Sequence, residues 1–293
     1  MNAADFTFGV EIETHMPRGS VYPGPHGCGV QVPWLPAGWL ADEDPSIIPP
    51  NNTRIKCEFV SPVLRGADGL RQLCEVITKI KEMGGQVNAS CGLHVHVGYD
   101  QGNTPAVRRL LNLVANHEKA LYAVTGTRSR ERGEGSRHGT NWCKSVKQYG
   151  NAARAERFAS SDRYHLLNLA TGGKPTVEFR VFGSSLNAAK AAAYVRLCIG
   201  LCQKSLVSKQ SAPWNATKRA AVPGRKVWNY GLGEGAGEGA IEAARLLFSL
   251  GWKKRGAAAT YKVYGVIEGD GVPSINAARK QIARLSKQYD ELG

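Results

Sequence analysis

Glu11 and Glu13 stand two residues apart in "TFGVEIET", residues 7–14, and the octapeptide carries no basic residue. In an extended strand both point to one face, while Phe8, Val10 and Ile12 point to the other. Neighbouring carboxylates repel and raise each other's pKa unless a cation lies between them. Three more short segments repeat the arrangement. "CEFVSP" turns Glu58 away from Cys57 and Phe59, and "GLHVHVG" turns His94 and His96 away from Leu93, Val95 and Val97. "VEFRV" turns Glu178 and Arg180 away from Val177, Phe179 and Val181. Any one of these alone reads as an ordinary solvated strand. Taken together as neighbours, they gather four glutamates, two histidines and an arginine on one face, which reads as a divalent-cation site. Glutamate-dominated donors with one or two imidazoles and no thiolate favour Mg²⁺ or Mn²⁺ over Zn²⁺. Mg²⁺ held this way commonly completes its shell with substrate phosphates, which points to an ATP-dependent reaction.

The elements that position these residues follow from pattern. Each of the four segments hides an apolar side and shows an ionisable one, as in an antiparallel sheet with helices on one face and the other face open. The fold class is therefore α+β. "GLRQLCEVITKIKEMGG" is an amphipathic helix with Leu70, Leu73, Ile77 and Ile80 on one stripe. "NTPAVRRLLNLVANHEKALYAVTG" predicts a single helix with Thr104 as N-cap and Gly126 as terminator. "NAAKAAAYVRLCIGLCQKSLV" predicts another, and a last basic helix begins at Ser274. Residues 15–53, rich in Pro and Gly, read as a long irregular insertion. Residues 127–163 read as a mobile loop whose basic start, "TRSRERGEGSRHGTNWCK", is either a solvated turn or a lid over phosphates. "GLGEGAGEGA" has glycines but no Lys or Ser/Thr, so it reads as a flexible turn rather than a phosphate-binding loop. The chain changes character near residue 206, which suggests a catalytic domain over 1–205 and a basic, partly helical extension over 206–293.

Composition sets the outer bounds. The chain has 293 residues, 42% hydrophobic and 21% charged, as in an ordinary globular protein. No run reads as a membrane span, and "MNAADF" lacks the pattern of a signal peptide. Seven cysteines without zinc-like spacing read as reduced thiols in a cytoplasmic protein. The net charge of +14 suggests an anionic partner.

The set "FGVEIE", "CEFVSPVL", "CGLHVHVG", "RYHLLNL" and "TVEFRVF", in that order, resembles the amidoligases, relatives of glutamine synthetase and glutamate–cysteine ligase. The resemblance covers about residues 6–200. It implies a strongly bent antiparallel sheet forming a funnel, with helices on its outer face, ATP at one end and a carboxylate substrate meeting it in the middle. It also implies the reaction: ATP phosphorylates the carboxylate, and an amine or ammonia displaces phosphate to give an amide or isopeptide bond. Carried over by position, Glu11, Glu13, Glu58, His94 and Glu178 match metal ligands split between two divalent sites. Arg180 matches the arginine that neutralises the transferring phosphoryl group, and His96 a second histidine near the nucleotide phosphates. Arg163 and Asn168 match positions lining the pocket. Asp44 and Ser46 resemble a D-x-S loop that precedes the second motif in relatives. The further acidic ligand that glutamine synthetase carries after the position of Glu58 has no counterpart in "VLRGADG", where Asp68 reads as a helix N-cap.

Two other readings stay open at the level of sequence. One is a metal-dependent hydrolase built on the HxH strand, although His15, His26, His117, His138 and His165 lack comparable strand contexts. The other is a basic nucleic-acid-binding protein, supported by the net charge, the last helix and "WKKRG" at 252–256. A ligase acting on an anionic polymer acceptor would combine two of the three.

Overall fold

The computed structural model describes residues 1–133, 142–158, 161–214, 232, 235–253 and 262–292. The centre of the basic stretch (134–141, with His138), parts of "GLGEGAGEGA" and the end of "WKKRG" lie outside the described residues.

Alternation of apolar and polar residues makes β1 (Thr7–Pro17) the central strand. The insertion after it contributes two short strands, β2 (Val30–Gln31) and β3 (Leu40–Asp42), where an irregular segment was expected. β4 (Arg54–Val60) follows, then β5 (Leu64–Arg65) and α1 (Gly66–Glu82). Asp68 lies within the first turn of α1 and pairs with Arg71, so it is not the N-cap. β6 (Gly92–Gly98) carries the two histidines. The helix expected over 104–125 is divided at His117 into α2 (Thr104–Asn116) and α3 (Glu118–Ala123). Its cap is Asn103, whose side chain accepts from Ala106 N, and not Thr104. The basic segment folds in part: α4 (Ser129–Arg132) and α5 (Ala152–Phe158) stand where a mobile loop was expected. β7 (Leu167–Asn168), β8 (Thr176–Gly183) and α6 (Ala188–Val207) follow. α7 (Glu238–Ser249) and α8 (Ile275–Glu291) complete the described elements. Ser274 caps α8 by accepting from Ala277 N, an interaction worth about 1 kcal/mol.

The strands form one eight-stranded sheet in the order β2-β3-β4-β1-β6-β8-β7, with β5 paired to the start of β1, and every strand pairing is antiparallel. The fold is thus α+β with a mainly antiparallel open sheet. The four strands singled out in the sequence are neighbours. Their apolar sides, from Phe8, Val10 and Ile12 to Val177, Phe179 and Val181, are buried in one core. α1 and α6 pack on one another, and α6 also packs on β6. Leu70, Leu73, Ile77 and Ile80 of α1 are fully buried, each contributing roughly 1.5–3 kcal/mol relative to exposure. Phe182 stacks on Tyr194 of α6 with ring centres 4.1 Å apart.

The last two helices pack into the same structure. α7 lies on α3, and α8 lies on α3, α6 and α7. Arg196 of α6 is fully buried and donates to Ile267 O at 2.5 Å. The Arg128 guanidinium sits 3.8 Å from the centre of the Tyr289 ring, and the Tyr289 hydroxyl donates to Glu131. α8 therefore braces α4. Among the described residues, no helix is long and apolar enough to cross a membrane.

Candidate functional site

Strand register sets the site in rows across the open face. Asp42 of β3 pairs with Glu58 of β4, which pairs with Glu13 of β1. Glu11 pairs with His94 of β6. His96 pairs with Glu178 of β8, which pairs with Asn168 of β7. A bulge between Leu93 and Val95 shifts β8 against β6, so two residues of β8, Arg180 and Val181, face His94 alone.

Contacts link the rows. His94 Nδ1 is 2.9 Å from Glu11 Oε2 and 3.5 Å from Glu178 Oε1, while its Nε2 is 3.3 Å from Glu13 Oε1. His96 Nε2 is 3.0 Å from the other oxygen of Glu11. Glu178 accepts from Arg180 Nη1 and from Asn168 Nδ2, each at 2.5 Å. Glu13 accepts from Gly92 N at 2.6 Å. Gly92 has to lack a side chain: a Cβ there would lie 2.8 Å from Arg130 Nη2 and 2.8 Å from His94 Nε2.

These groups do not titrate as free side chains. Burial works to raise the Glu11 carboxyl, but its bonds to His94 and His96 outweigh that and hold it well below the usual carboxylate range. Glu178 is held low despite burial, chiefly by Arg180. Burial opposes charge on His96, yet the bond to Glu11 raises its pKa. Glu58 goes the other way. Burial raises it, and Glu11, Glu13, Asp44 and Asp42 push it well above the ordinary range. Among the described residues no hydrogen bond or ion pair offsets this for Glu58, which is 5% exposed.

Three sets of side chains have donor atoms that all lie within 4.8 Å of one another: Glu11–Glu58–His94, Glu11–His96–Glu178 and His26–Asp44–Glu58. The first two use only residues singled out in the sequence. Glu13 lies beside them, bonded to Gly92 and within reach of His94.

Two cavities flank the cluster. One of about 230 Å³ is lined by Glu13, His94 and Arg180, with Arg130, Arg163 and Tyr164 around them. The other, of about 150 Å³, lies against Glu11 and His96, with Pro62, Val63 and Lys174 forming part of its wall. Arg163 is exposed and reaches the larger cavity, whereas Asn168 is buried against Glu178. His15, set aside in the sequence, does lie in β1, but Arg54 Nε donates to its ring at 2.6 Å and it takes no part in the cluster.

Three residues of this region carry no signal in the sequence pattern. Asp42 sits in a strand too short to alternate, and His26 sits in a Pro/Gly-rich turn. Arg130 belongs to the basic stretch but is 7% exposed, and its Nε and Nη2 have no hydrogen-bond partner among the described residues.

Comparison with known proteins accords with this geometry. Searches against curated proteins and against solved structures return no match. The model of a family described as "Putative amidoligase enzyme" matches residues 36–202, more than half of the chain. That span includes Glu58, His94, His96, Glu178 and Arg180. β1 with Glu11 and Glu13 lies before it, yet the strand is held between two strands that are inside it. By this match the chain belongs to the amidoligase family.

Proposed function

We propose that the protein joins a carboxylate to an amine at the cost of ATP, forming an amide or isopeptide bond through an acyl phosphate. The observation that carries this reading is the buried acidic face with a cavity on either side, because two anionic reactants need separate entrances and a shared cationic meeting point. The donor sets fit divalent ions. Glu58 is buried among like charges with no hydrogen bond or ion pair from the described residues, and the oxygens and imidazoles match the preference of Mg²⁺ or Mn²⁺. Glu11, His94, His96, Glu178, Glu58 and Glu13 would hold them. When bound, such ions neutralise phosphate charge and align the nucleotide.

The chain's own residues supply the rest. His96 and Lys174 at the smaller cavity suit the nucleotide phosphates, and its apolar walls suit the base. Arg163 and Arg130 at the larger cavity suit the acid. Arg180, fixed by Glu178, lies against His94 with a free Nε and is directed at charge that develops during phosphoryl transfer. A substrate carboxylate oxygen attacks the γ-phosphorus as the bond to the β,γ-bridging oxygen breaks and ADP leaves. The amine nitrogen then attacks the acyl carbon, the carbon–oxygen bond to phosphate breaks, and the amine proton passes to water. Asn168 orients Glu178 throughout. α7 and α8 pack on the helices behind the sheet, so we take 206–293 as part of one catalytic unit with 1–205, located in the cytoplasm.

Calorimetric titration with a non-hydrolysable ATP analogue tests the reading. Binding is expected only with Mg²⁺ or Mn²⁺, and Glu11→Gln, which touches both inner donor sets, should abolish it. Metal-independent binding, or none at all, would remove the reading's support.

A further inference from the structure

Past the carboxylates the open face of the sheet changes sign. On β4, Lys56 stands two residues before Glu58 and Arg54 two before that, so all three point to one face at steps of roughly 7 Å. The pairing of β4 with β1 runs without a shift from Glu13–Glu58 through His15–Lys56 to Pro17–Arg54, so the alternation holds to the end of the strand. A third cavity lies there, of about 410 Å³, lined by Arg18, Arg54 and Lys56, with the exposed ring of Tyr22 in its wall.

Neutral acceptors hold these cations in place and leave their charge uncancelled. Arg54 is clamped: its Nε donates to His15 Nδ1 at 2.6 Å, and its Nη2 donates to His15 O at 2.7 Å and to Gly84 O at 2.5 Å. Arg18 Nε donates to Asn52 O at 3.1 Å, and Lys56 Nζ donates to Pro45 O at 3.2 Å. Among the described residues none of the three forms an ion pair. Glu43, also in the wall, is exposed and pairs with none of them. A cleft lined by one sign of charge concentrates ligands of the other sign. The loop after β3 joins this cavity to the site. Glu43 and Pro49 line it, whereas Asp44, Pro45 and Ser46, which lie between them in sequence, line the cavity beside Arg163. The loop is fixed: Ile48 N donates to Ser90 Oγ at 2.9 Å, Asn88 Nδ2 donates to Ile48 O at 2.8 Å, and Lys56 holds Pro45 O.

We infer that the third cavity binds a second anionic group of the acid substrate, which makes that substrate an acidic peptide rather than a single amino acid. The inference rests on the ligase reading for the role of the acid. Alternate side chains of an extended peptide lie roughly 7 Å apart on one side, the same step that separates Glu58 from Lys56 on β4. One carboxylate of the peptide lies beside Arg163 and Arg130, and the chain crosses the 43–49 loop. A second carboxylate then meets Lys56, whose ammonium has two protons beyond the one given to Pro45, and Arg18, whose Nη atoms make no hydrogen bond among the described residues. Arg54 is spent on His15 and Gly84 and adds charge rather than contact. Tyr22 offers its ring to the aliphatic stems of the peptide.

Nucleotide-free calorimetric titration of the full chain in Mg²⁺ with tri-glutamate, beside glutamate alone, tests it. Tri-glutamate is expected to bind roughly tenfold more tightly or better. Lys56→Gln and Arg18→Gln, both outside the core, should each weaken it about tenfold, the worth of one charged hydrogen bond. Arg163→Gln should weaken it too, because the peptide occupies both cavities. Tri-glutamate binding no tighter than glutamate, or indifferent to Lys56→Gln and Arg18→Gln, overturns the inference. A loss confined to those two variants, with Arg163→Gln at wild-type affinity, makes the third cavity an anion site unconnected with the acid and overturns it as well. Failure of the nucleotide analogue to bind defeats the ligase reading and leaves the peptide titration readable, and failure of the peptide leaves the nucleotide experiment untouched.

Discussion

Glu58 and Glu178 stand on strands of one sheet, face the same way and are buried to nearly the same degree. Their surroundings differ in sign. Glu178 has Arg180 and Asn168 on its oxygens and two imidazoles nearby, and it is held ionised. Glu58 has Glu11, Glu13, Asp42 and Asp44 around it and no hydrogen-bonded partner among the described residues, with His94 and His26 within 4.8 Å only, and its proton is held tightly. The half of the face on β8 carries its own counter-charges. On the reading proposed above, the half on β3 and β4 is left to a cation supplied from outside. A buried charge is tolerated only when paired, so on that reading the difference separates the part of the site that is built in from the part that a cation would complete.

The comparison can be broken or sharpened by substitution. Arg180→Ala should have the largest effect, a loss of roughly 10²–10³ in kcat with nucleotide affinity little changed, as for removal of a donor aimed at developing charge. Turnover near the wild-type rate would detach Arg180 from the chemistry. Glu178→Gln should destabilise the metal-free protein by about 2–3 kcal/mol in urea unfolding. That is somewhat below the usual penalty for breaking a buried ion pair, because Arg180 still faces Glu13 and Glu11.

Glu58→Gln should act with the opposite sign, stabilising the metal-free protein at neutral pH in the same urea unfolding. Its pH dependence follows from linkage. The folded state holds the Glu58 proton more tightly than the unfolded state, so the wild type loses stability as pH rises from the ordinary carboxylate value toward the raised one. The advantage of Glu58→Gln should be absent below about pH 4.5, grow through that window and then level off. An advantage that grew toward acid pH would show that Glu58 is paired after all. The smallest effect is expected for Asn168→Ala, about 1 kcal/mol, with Glu178 still held by Arg180.

Much of this face was legible in the sequence because period-two alternation places side chains without any knowledge of pairing. Phe8, Val10 and Ile12 could be assigned to the core, and Glu11 and Glu13 to the opposite face, from eight residues. The apolar stripe of α1 was equally plain. Where the chain leaves regular structure, the pattern carries no such information. Asp42 belongs to a three-residue strand, and His26 reaches the site through a turn whose glycines permit backbone approach but do not announce its destination. Arg130 looked like one more solvated cation in a basic run, and its placement beside Gly92 of β6 is a tertiary contact that the run does not record. Thr104 gave way to Asn103 as a cap by a shift of a single residue, a choice that local hydrogen bonding decides.

The grip of Tyr289 on Arg128 and Glu131 has a bearing on how the molecule is made. The helix that carries Arg130 is completed by side chains more than 150 residues further along the chain. During synthesis the sheet can assemble first with its acidic face and Arg180, while the part of the cavity wall that carries Arg130 waits for residues beyond 275. A nascent chain would then present its carboxylates and Arg180 together, and would fix Arg130 beside them only as its last helix emerged.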